Sequence, residues 1–105
     1  MLRSAFRNII KNAYKYSDNK SLTITMEAYA NAVHIHFDNT GPTINAEDID
    51  RLFLAFFRGI NAAQKKGFGL GLAIVKRIIE LHKGTVKYRV IVGNINRFTI
   101  LFFMP

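Results

Sequence analysis

The sequence predicts an α+β domain, a two-layer sandwich in which a mixed, mostly antiparallel sheet carries helices on one face. Two segments repeat their apolar residues at helical spacing, four others alternate apolar and polar residues as half-buried strands do, and the helices interleave with the paired strands. Each element has a single apolar face. Helices stacked on one side of a sheet bury all of these faces together. At 105 residues, half of them hydrophobic, the chain fits one domain with a real core, and no repeat or linker divides it.

The elements follow in order. Leu2, Phe6, Ile9, Ile10, Ala13 and Tyr14 recur at helical spacing, which predicts an opening amphipathic helix ending near Ser17-Asp18-Asn19. Leu22, Ile24, Met26 and Ala28 alternate with Thr23, Thr25 and Glu27, and Val33, Ile35 and Phe37 alternate with His34, His36 and Asp38. These are two half-buried strands joined at Ala30-Asn31. By composition Asp38-Asn39-Thr40-Gly41-Pro42 is a loop, and Asn45 caps a short helix with Glu47 and Asp48 in its first turn, reaching about Phe53. Gly59 to Lys66 is polar and aperiodic, so mobility is expected there. A long helix from Ala73 to His82 then closes at Lys83-Gly84, and two strands, Thr85 to Val92 and Arg97 to Phe103, flank the turn Gly93-Asn94.

Composition bounds the function classes. Without cysteine there is neither a disulfide framework nor a thiolate metal site, which suits a reducing compartment. No signal peptide and no apolar run near the length of a membrane span is present. Fifteen Lys and Arg against seven Asp and Glu give a formal charge of +8, which favours a polyanionic partner: nucleic acid, phospholipid headgroups or a polyphosphate nucleotide. The basic residues are dispersed, however, and a solvated surface accounts for most of them.

The most informative stretch is Gly67-Phe68-Gly69-Leu70-Gly71-Leu72, which runs straight into the helical pattern that starts at Ala73. Three glycines at alternate positions let the backbone curl around an anion, with amide hydrogens pointing inward and the positive end of the helix dipole behind them. This is the chemistry of a phosphate cradle. It is neither the dinucleotide fingerprint, which needs G-x-G-x-x-G after an apolar strand, nor a P-loop, for no G-x-x-x-x-G-K-[ST] occurs. A glycine loop that merely separates two elements is the bland alternative.

A second signal lies on the opening helix. Asn8, Asn12 and Lys15 fall in a narrow arc beside its apolar face. Asparagine costs helix propensity, so two of them one turn apart call for an explanation. An Asn side-chain oxygen is a suitable hard ligand for Mg²⁺; hydrogen bonding within the fold or to water is the alternative. Tyr16 could stack on a flat base while Lys15 meets a phosphate, or be an ordinary aromatic at the core's edge.

With these motifs in order, the chain resembles the catalytic and ATP-binding domain of bacterial two-component sensor histidine kinases, within the GHKL ATPase superfamily and its Bergerat-type ATP-binding fold. The resemblance covers nearly all of residues 1–105 as one such domain. Arg7-Asn8-Ile9-Ile10-Lys11-Asn12-Ala13-Tyr14-Lys15-Tyr16-Ser17 resembles the N box, Asn39-Thr40-Gly41-Pro42-Thr43-Ile44 the G1 box, Arg51 to Gly59 the F box, and Gly67 to Leu72 the G2 box. The resemblance implies ATP and Mg²⁺ as cofactors, with Asn12 ligating the metal. It implies catalytic roles for Asn8, Lys15 and Arg58. Nucleotide contacts are implied for Asn12, Tyr16, Asn39, Gly41, Ile44, Phe57, Gly67, Phe68, Gly69, Leu70, Gly71 and Leu72, and for Thr99, whose counterpart in the family lies near the adenine.

The G1 box departs from the family's D-x-G-x-G pattern. Aligned on Gly41, Asn39 takes the Asp position and Thr43 the second Gly, while Asp38 sits one residue too early. An Asn carbonyl can accept the adenine amino group without charge, with ~1 kcal/mol less binding expected. Thr43 lacks glycine's freedom, which puts the loop shape in question. None of His34, His36 and His82 lies in the family's H-E-x-x-x-P phosphoacceptor context, and the strand that usually precedes the N-box helix is missing. A metal pair at His34 and His36 is a minor alternative.

The resemblance therefore implies a fragment of a longer sensor kinase, cytoplasmic within a membrane-anchored parent. Its partners would be the helical dimerisation and phosphoacceptor domain of the same parent and a downstream response regulator, without nucleic-acid or membrane contact. The rival expectations are a nucleotide-binding regulatory module that transfers no phosphate and, ranked last, a basic nucleic-acid binder.

Overall fold

The structure, a computed structural model, describes residues 1–15, 17–49, 51–53 and 71–103. Among them lie three helices, α1 (Leu2–Lys15), α2 (Ala46–Ile49) and α3 (Gly71–Leu81), and four strands, β1 (Thr23–Ala28), β2 (Ala32–Thr40), β3 (Gly84–Ile91) and β4 (Ile95–Phe103). The strands form one sheet in the order β1-β2-β4-β3, each neighbouring pair antiparallel. Helices α1 and α3 pack against each other on one face of it, α3 against β3 and α1 against β2. The expected two-layer α+β architecture is the observed one.

Strand alternation sorts the residues between the two layers. On the helix side Ile35 and Phe37 of β2 meet Ile100 and Phe98 of β4, which meet Val86 and Tyr88 of β3. Ala5 and Ile9 of α1 and Leu72, Val75, Ile78 and Ile79 of α3 close over these side chains, and Leu52 joins them, almost fully buried. Helical spacing in α1 and α3 and two-residue spacing in the strands thus converge on a single core. β1 is exposed along its whole length, with Ile24 and Met26 uncovered.

Three local differences from expectation have physical causes. Asp38-Asn39-Thr40 looks like a loop by composition, yet β2 continues to Thr40 because its ladder with β4 runs on to Ile95 and the side chains of Asp38 and Asn39 find distant partners. At the end of α3 the left-handed residue is Lys83 (φ 62°), not Gly84. Gly84 is required for close approach instead: a Cβ there would lie 2.7 Å from the Leu101 carbonyl oxygen. In the β3–β4 hairpin, Gly93 (φ 89°) and Asn94 (φ 57°) both take the left-handed conformation that tight hairpins need.

Candidate nucleotide site

Asn12 lies on the face of α1 turned toward α3 and is only 9% exposed. Its side-chain amide makes no hydrogen bond within the described residues, and a Cβ added at Gly71, the first residue of α3, would lie 3.3 Å from its Nδ2. The first turn of a helix has backbone N–H groups without intrahelical partners and carries the positive end of the dipole. The close packing of α1 on α3 thus brings an uncommitted amide side chain to the helix end that best accepts an anion. Leu72, next in sequence, is fully buried and anchors that end in the core. Asn8 and Lys15 are half-buried, one turn and nearly one turn along α1 from Asn12.

Asn39 forms the second part of the site. It sits near the end of β2 on the helix side of the sheet, 5% exposed, and its Nδ2 donates to the carbonyl oxygen of Ala13 at 2.9 Å. A carbonyl can only accept, so the amide must present nitrogen to α1, which fixes the other atom as Oδ1. That oxygen is buried and has no partner among the described residues. Buried acceptors are almost always satisfied, so this one calls for a donor, from an ordered water or from a ligand. Its orientation suits any hydrogen-bond donor and disfavours a carbonyl oxygen.

Alternation also decides between the two candidates for the acidic position. Asp38 points to the opposite face, where its carboxylate accepts a bidentate pair of bonds from Arg97, Nε at 2.7 Å and Nη2 at 2.8 Å. This pairing raises the pKa of the Arg97 guanidinium. Asp38 is therefore a structural partner of β4, and Asn39 alone faces the helices.

Thr99, expected near the adenine, lies on the other face of the sheet from Asn39. It lies between Phe98 and Ile100, both in the core, so its side chain must emerge on the outer face. There its hydroxyl meets His36 Nδ1 at 2.8 Å, while His36 Nε2 donates to Glu27 Oε1 at 2.6 Å. The bond from His36 lowers the pKa of the Glu27 carboxyl. His36 is thus 4% exposed on a face expected to be wet, covered by its neighbours on β1 and β4. Among the described residues no group of three or more His, Cys, Asp or Glu could hold a metal, and both ring nitrogens of His36 are already engaged by Thr99 and Glu27. His82 Nδ1 donates to the Ile78 carbonyl oxygen at 2.8 Å and caps α3.

Gly41 and Ile44 lie in the loop after β2. Two residues that sequence reasoning missed hold this loop: Tyr88, whose hydroxyl accepts from the Ile44 N–H at 3.0 Å, and Asn96, whose Nδ2 donates to the Pro42 carbonyl oxygen at 3.2 Å. Tyr16, Phe57, Arg58, Gly67, Phe68, Gly69 and Leu70, together with the expected mobile segment from Gly59 to Lys66, lie outside the described residues.

Known proteins match this geometry. The family model for histidine kinase-, DNA gyrase B- and HSP90-like ATPases covers residues 1–105. The sensor histidine kinase CusS of Escherichia coli O6:H1 is 38% identical over 89 residues, 82% of this chain and 18% of the kinase. The mycobacterial sensor histidine kinase MprB superimposes with a TM-score of 0.86 at 25% identity, over 97% of this chain and 72% of that one. Full-length ShkA, solved in complex with AMPPNP, gives a TM-score of 0.77 at 29% identity, over 98% of this chain and 21% of its own. The chain spans about a fifth of the length of the curated relatives it matches. A two-layer α+β fold with an asparagine-bearing first helix against the start of a glycine-preceded helix, matched over its whole length by that family model, makes this chain a member of the GHKL ATPases, of the histidine kinase kind.

Proposed function

We propose that the chain is the ATP-binding catalytic domain of a two-component sensor histidine kinase. On this reading it binds ATP with Mg²⁺ between α1, the loop after β2 and the start of α3, and delivers the γ-phosphate to a His on a helical dimerisation domain of the same protein. The observation that carries this reading is the meeting of Asn12 with Gly71, residues far apart in sequence, together with Asn39, which bonds to the Ala13 carbonyl next to Asn12 and keeps a buried Oδ1 without a partner among the described residues.

The residues present suit both cofactors. The side-chain oxygen of Asn12 is a hard donor of the type that Mg²⁺ takes, and the first-turn amides of α3 suit phosphate oxygens. Bound Mg²⁺ would supply charge neutralisation at the phosphates. Asn39 Oδ1 would accept from the adenine amino group, discriminating against guanine, which offers a carbonyl oxygen at the same position. Lys15, and Arg58 beyond the described residues, would offset charge that develops in transfer, and Asn8 would assist it. The acceptor imidazole must come from another domain: His36 and His82 are engaged in structural bonds, and His34 lies on the outer face beside His36. A response regulator would then take the phosphoryl group, in a cytoplasmic reaction of a membrane-anchored parent.

Melting with and without ATP and Mg²⁺ tests the binding part. Ligand at ~100 times its dissociation constant adds about 2.7 kcal/mol, which for a domain of this size raises the midpoint by roughly 10–20 °C. Asn12→Ala should remove most of the Mg²⁺-dependent share of that rise, and an undiminished rise would refute the metal role. The departures at Asn39 and Thr43 favour one rival, a regulatory module that binds nucleotide without transfer. Supplying a histidine-bearing helical domain with γ-labelled ATP separates the two: labelled histidine supports the kinase, and binding without label supports the module.

A further inference from the structure

The loop after β2 is held from across the sheet. Tyr88 on β3 and Asn96 on β4 both face the helix layer, and Asn96 lies directly opposite Asn39 in the β2–β4 ladder. The Tyr88 hydroxyl donates to Asn96 Oδ1 and accepts from the Ile44 N–H at 3.0 Å. With its oxygen so engaged, Asn96 turns Nδ2 to the loop, donating to the carbonyl oxygens of Pro42 at 3.2 Å and Gly41 at 3.4 Å. Two side chains thus hold three backbone groups within residues 41–44, some 44 to 55 positions away in sequence.

Both side chains are themselves fixed. Asn96 is 5% exposed and Tyr88 is 7% exposed, its ring tilted against Phe98 with centroids 5.1 Å apart. Burial also raises the phenol pKa, which keeps the hydroxyl proton available for Asn96. A polar chain this deep is maintained only if each member is satisfied, and here every bond ends on the loop or on the other member. The loop begins two residues after the unpartnered acceptor at Asn39. Free, it would have to be ordered by each ligand that binds, and ordering reduces affinity.

We infer that Tyr88 and Asn96 are positioning residues of the nucleotide site, holding the Gly41–Ile44 loop in its binding conformation before ligand arrives. This inference rests on the ATP-binding reading above and goes beyond it, since neither residue belongs to the boxes that identify the family. The Tyr88–Asn96 chain makes the loop a rigid wall of the site, so its loss weakens ATP without altering the sheet.

The test uses Tyr88→Phe, which keeps the ring and its packing and removes only the hydroxyl, and Asn96→Ala as the second variant. Two readouts are needed. Amide hydrogen exchange of the ligand-free chain reports on the loop: Ile44 should exchange at least ~10-fold faster in Tyr88→Phe, while the β2 and β4 amides near Ile35 and Ile100 keep their rates. Calorimetric titration with ATP and Mg²⁺ reports the consequence, and affinity should fall about 5- to 10-fold in either variant, equivalent to the loss of one or two buried hydrogen bonds. Uniformly faster exchange across the sheet would reduce the pair to a structural role and overturn the inference. Unchanged ATP affinity in both variants beside a wild type that binds would overturn it too, leaving the ATP-binding reading intact. A wild type that binds no ATP would defeat that reading directly, and the positioning role with it, whatever the exchange rates show.

Discussion

The two faces of the sheet handle polar groups in opposite ways. On the outer face each buried polar side chain closes on another: Asp38 with Arg97 through two bonds, and His36 with Glu27 and Thr99. On the helix face the polar side chains bond mainly to backbone, with Tyr88 and Asn96 also joined to each other, and among the described residues two amide groups are left open, the side chain of Asn12 and Oδ1 of Asn39. Closed pairs stabilise and carry no ligand. Open, oriented groups held in a rigid layer cost stability and are where ligands act. Adjacent residues in one strand can therefore differ completely in role, as Asp38 and Asn39 do, because alternation sends them to different faces.

The sharpest way to break this comparison is a pair of neighbours on β4. Phe98→Ala should cost about 3–5 kcal/mol, since Phe98 lies in the core between Tyr88 and Phe53, whereas Thr99→Ala should cost ~1 kcal/mol for one partly buried hydrogen bond. Denaturant unfolding of both variants measures the difference. Equal losses would mean that the faces are not distinct. Thr99→Ala should also leave ATP affinity within about twofold, a change of less than ~0.4 kcal/mol, because its side chain lies on the outer face of the sheet.

The same logic separates Asp38 from Asn39. Asn39→Ala should lower ATP affinity ~10- to 100-fold, losing a buried acceptor worth about 1–3 kcal/mol, while Asp38→Ala should lower stability by a similar ~1–3 kcal/mol and leave affinity nearly unchanged. Titration calorimetry and chemical unfolding, run on each variant, read the two effects independently. The reverse assignment would show that the acidic residue, not the amide, recognises the nucleobase.

Smaller effects sharpen the picture. Gly71→Ala should change stability by less than ~1 kcal/mol, because the contact at 3.3 Å is with the end of a side chain that can shift and alanine favours the helix. Its consequence should appear instead in a weaker Mg²⁺ dependence of ATP binding. The pH dependence should be smallest of all. Glu27 has a depressed pKa in the folded chain, so its bond to His36 adds stability above the ordinary carboxyl range, and that increment fades as pH falls through the folded value. Tyr88 shows the opposite sign: its raised pKa means that stability is full below about pH 10 and declines in more alkaline solution. Melting profiles of Glu27→Gln and Tyr88→Phe should each flatten at the corresponding end.

Much of this was legible in the sequence because the two periods were clean. Helical spacing gave α1 and α3, two-residue alternation gave four strands, and Asn8, Asn12 and Lys15 stood out as polar residues beside an apolar stripe. Alternation alone sends Thr99, flanked by Phe98 and Ile100, to the outer face, against the place that the family resemblance implies. What was not legible depended on partners distant in sequence. Asp38 and Asn39 look like turn residues until Arg97 and the Ala13 carbonyl are seen to satisfy them. Tyr88 and Asn96 carry no local signal, since a tyrosine in an apolar alternation and an asparagine after a turn are both ordinary. Gly84 looks like a helix cap in the sequence, yet its constraint, the Leu101 carbonyl oxygen, comes from another strand.

The central claim is that an adenine nucleotide occupies the helix face of the sheet, between Asn12, Asn39 and the start of α3. Titrating ¹⁵N-labelled chain with ATP and Mg²⁺ while following backbone and side-chain amide signals tests it most directly. The account predicts shifts concentrated at Asn12, Asn39, residues 41–44 and Gly71, with His34, His36 and Lys87 unmoved. Shifts gathered on the outer face, or none at saturating nucleotide, would contradict it.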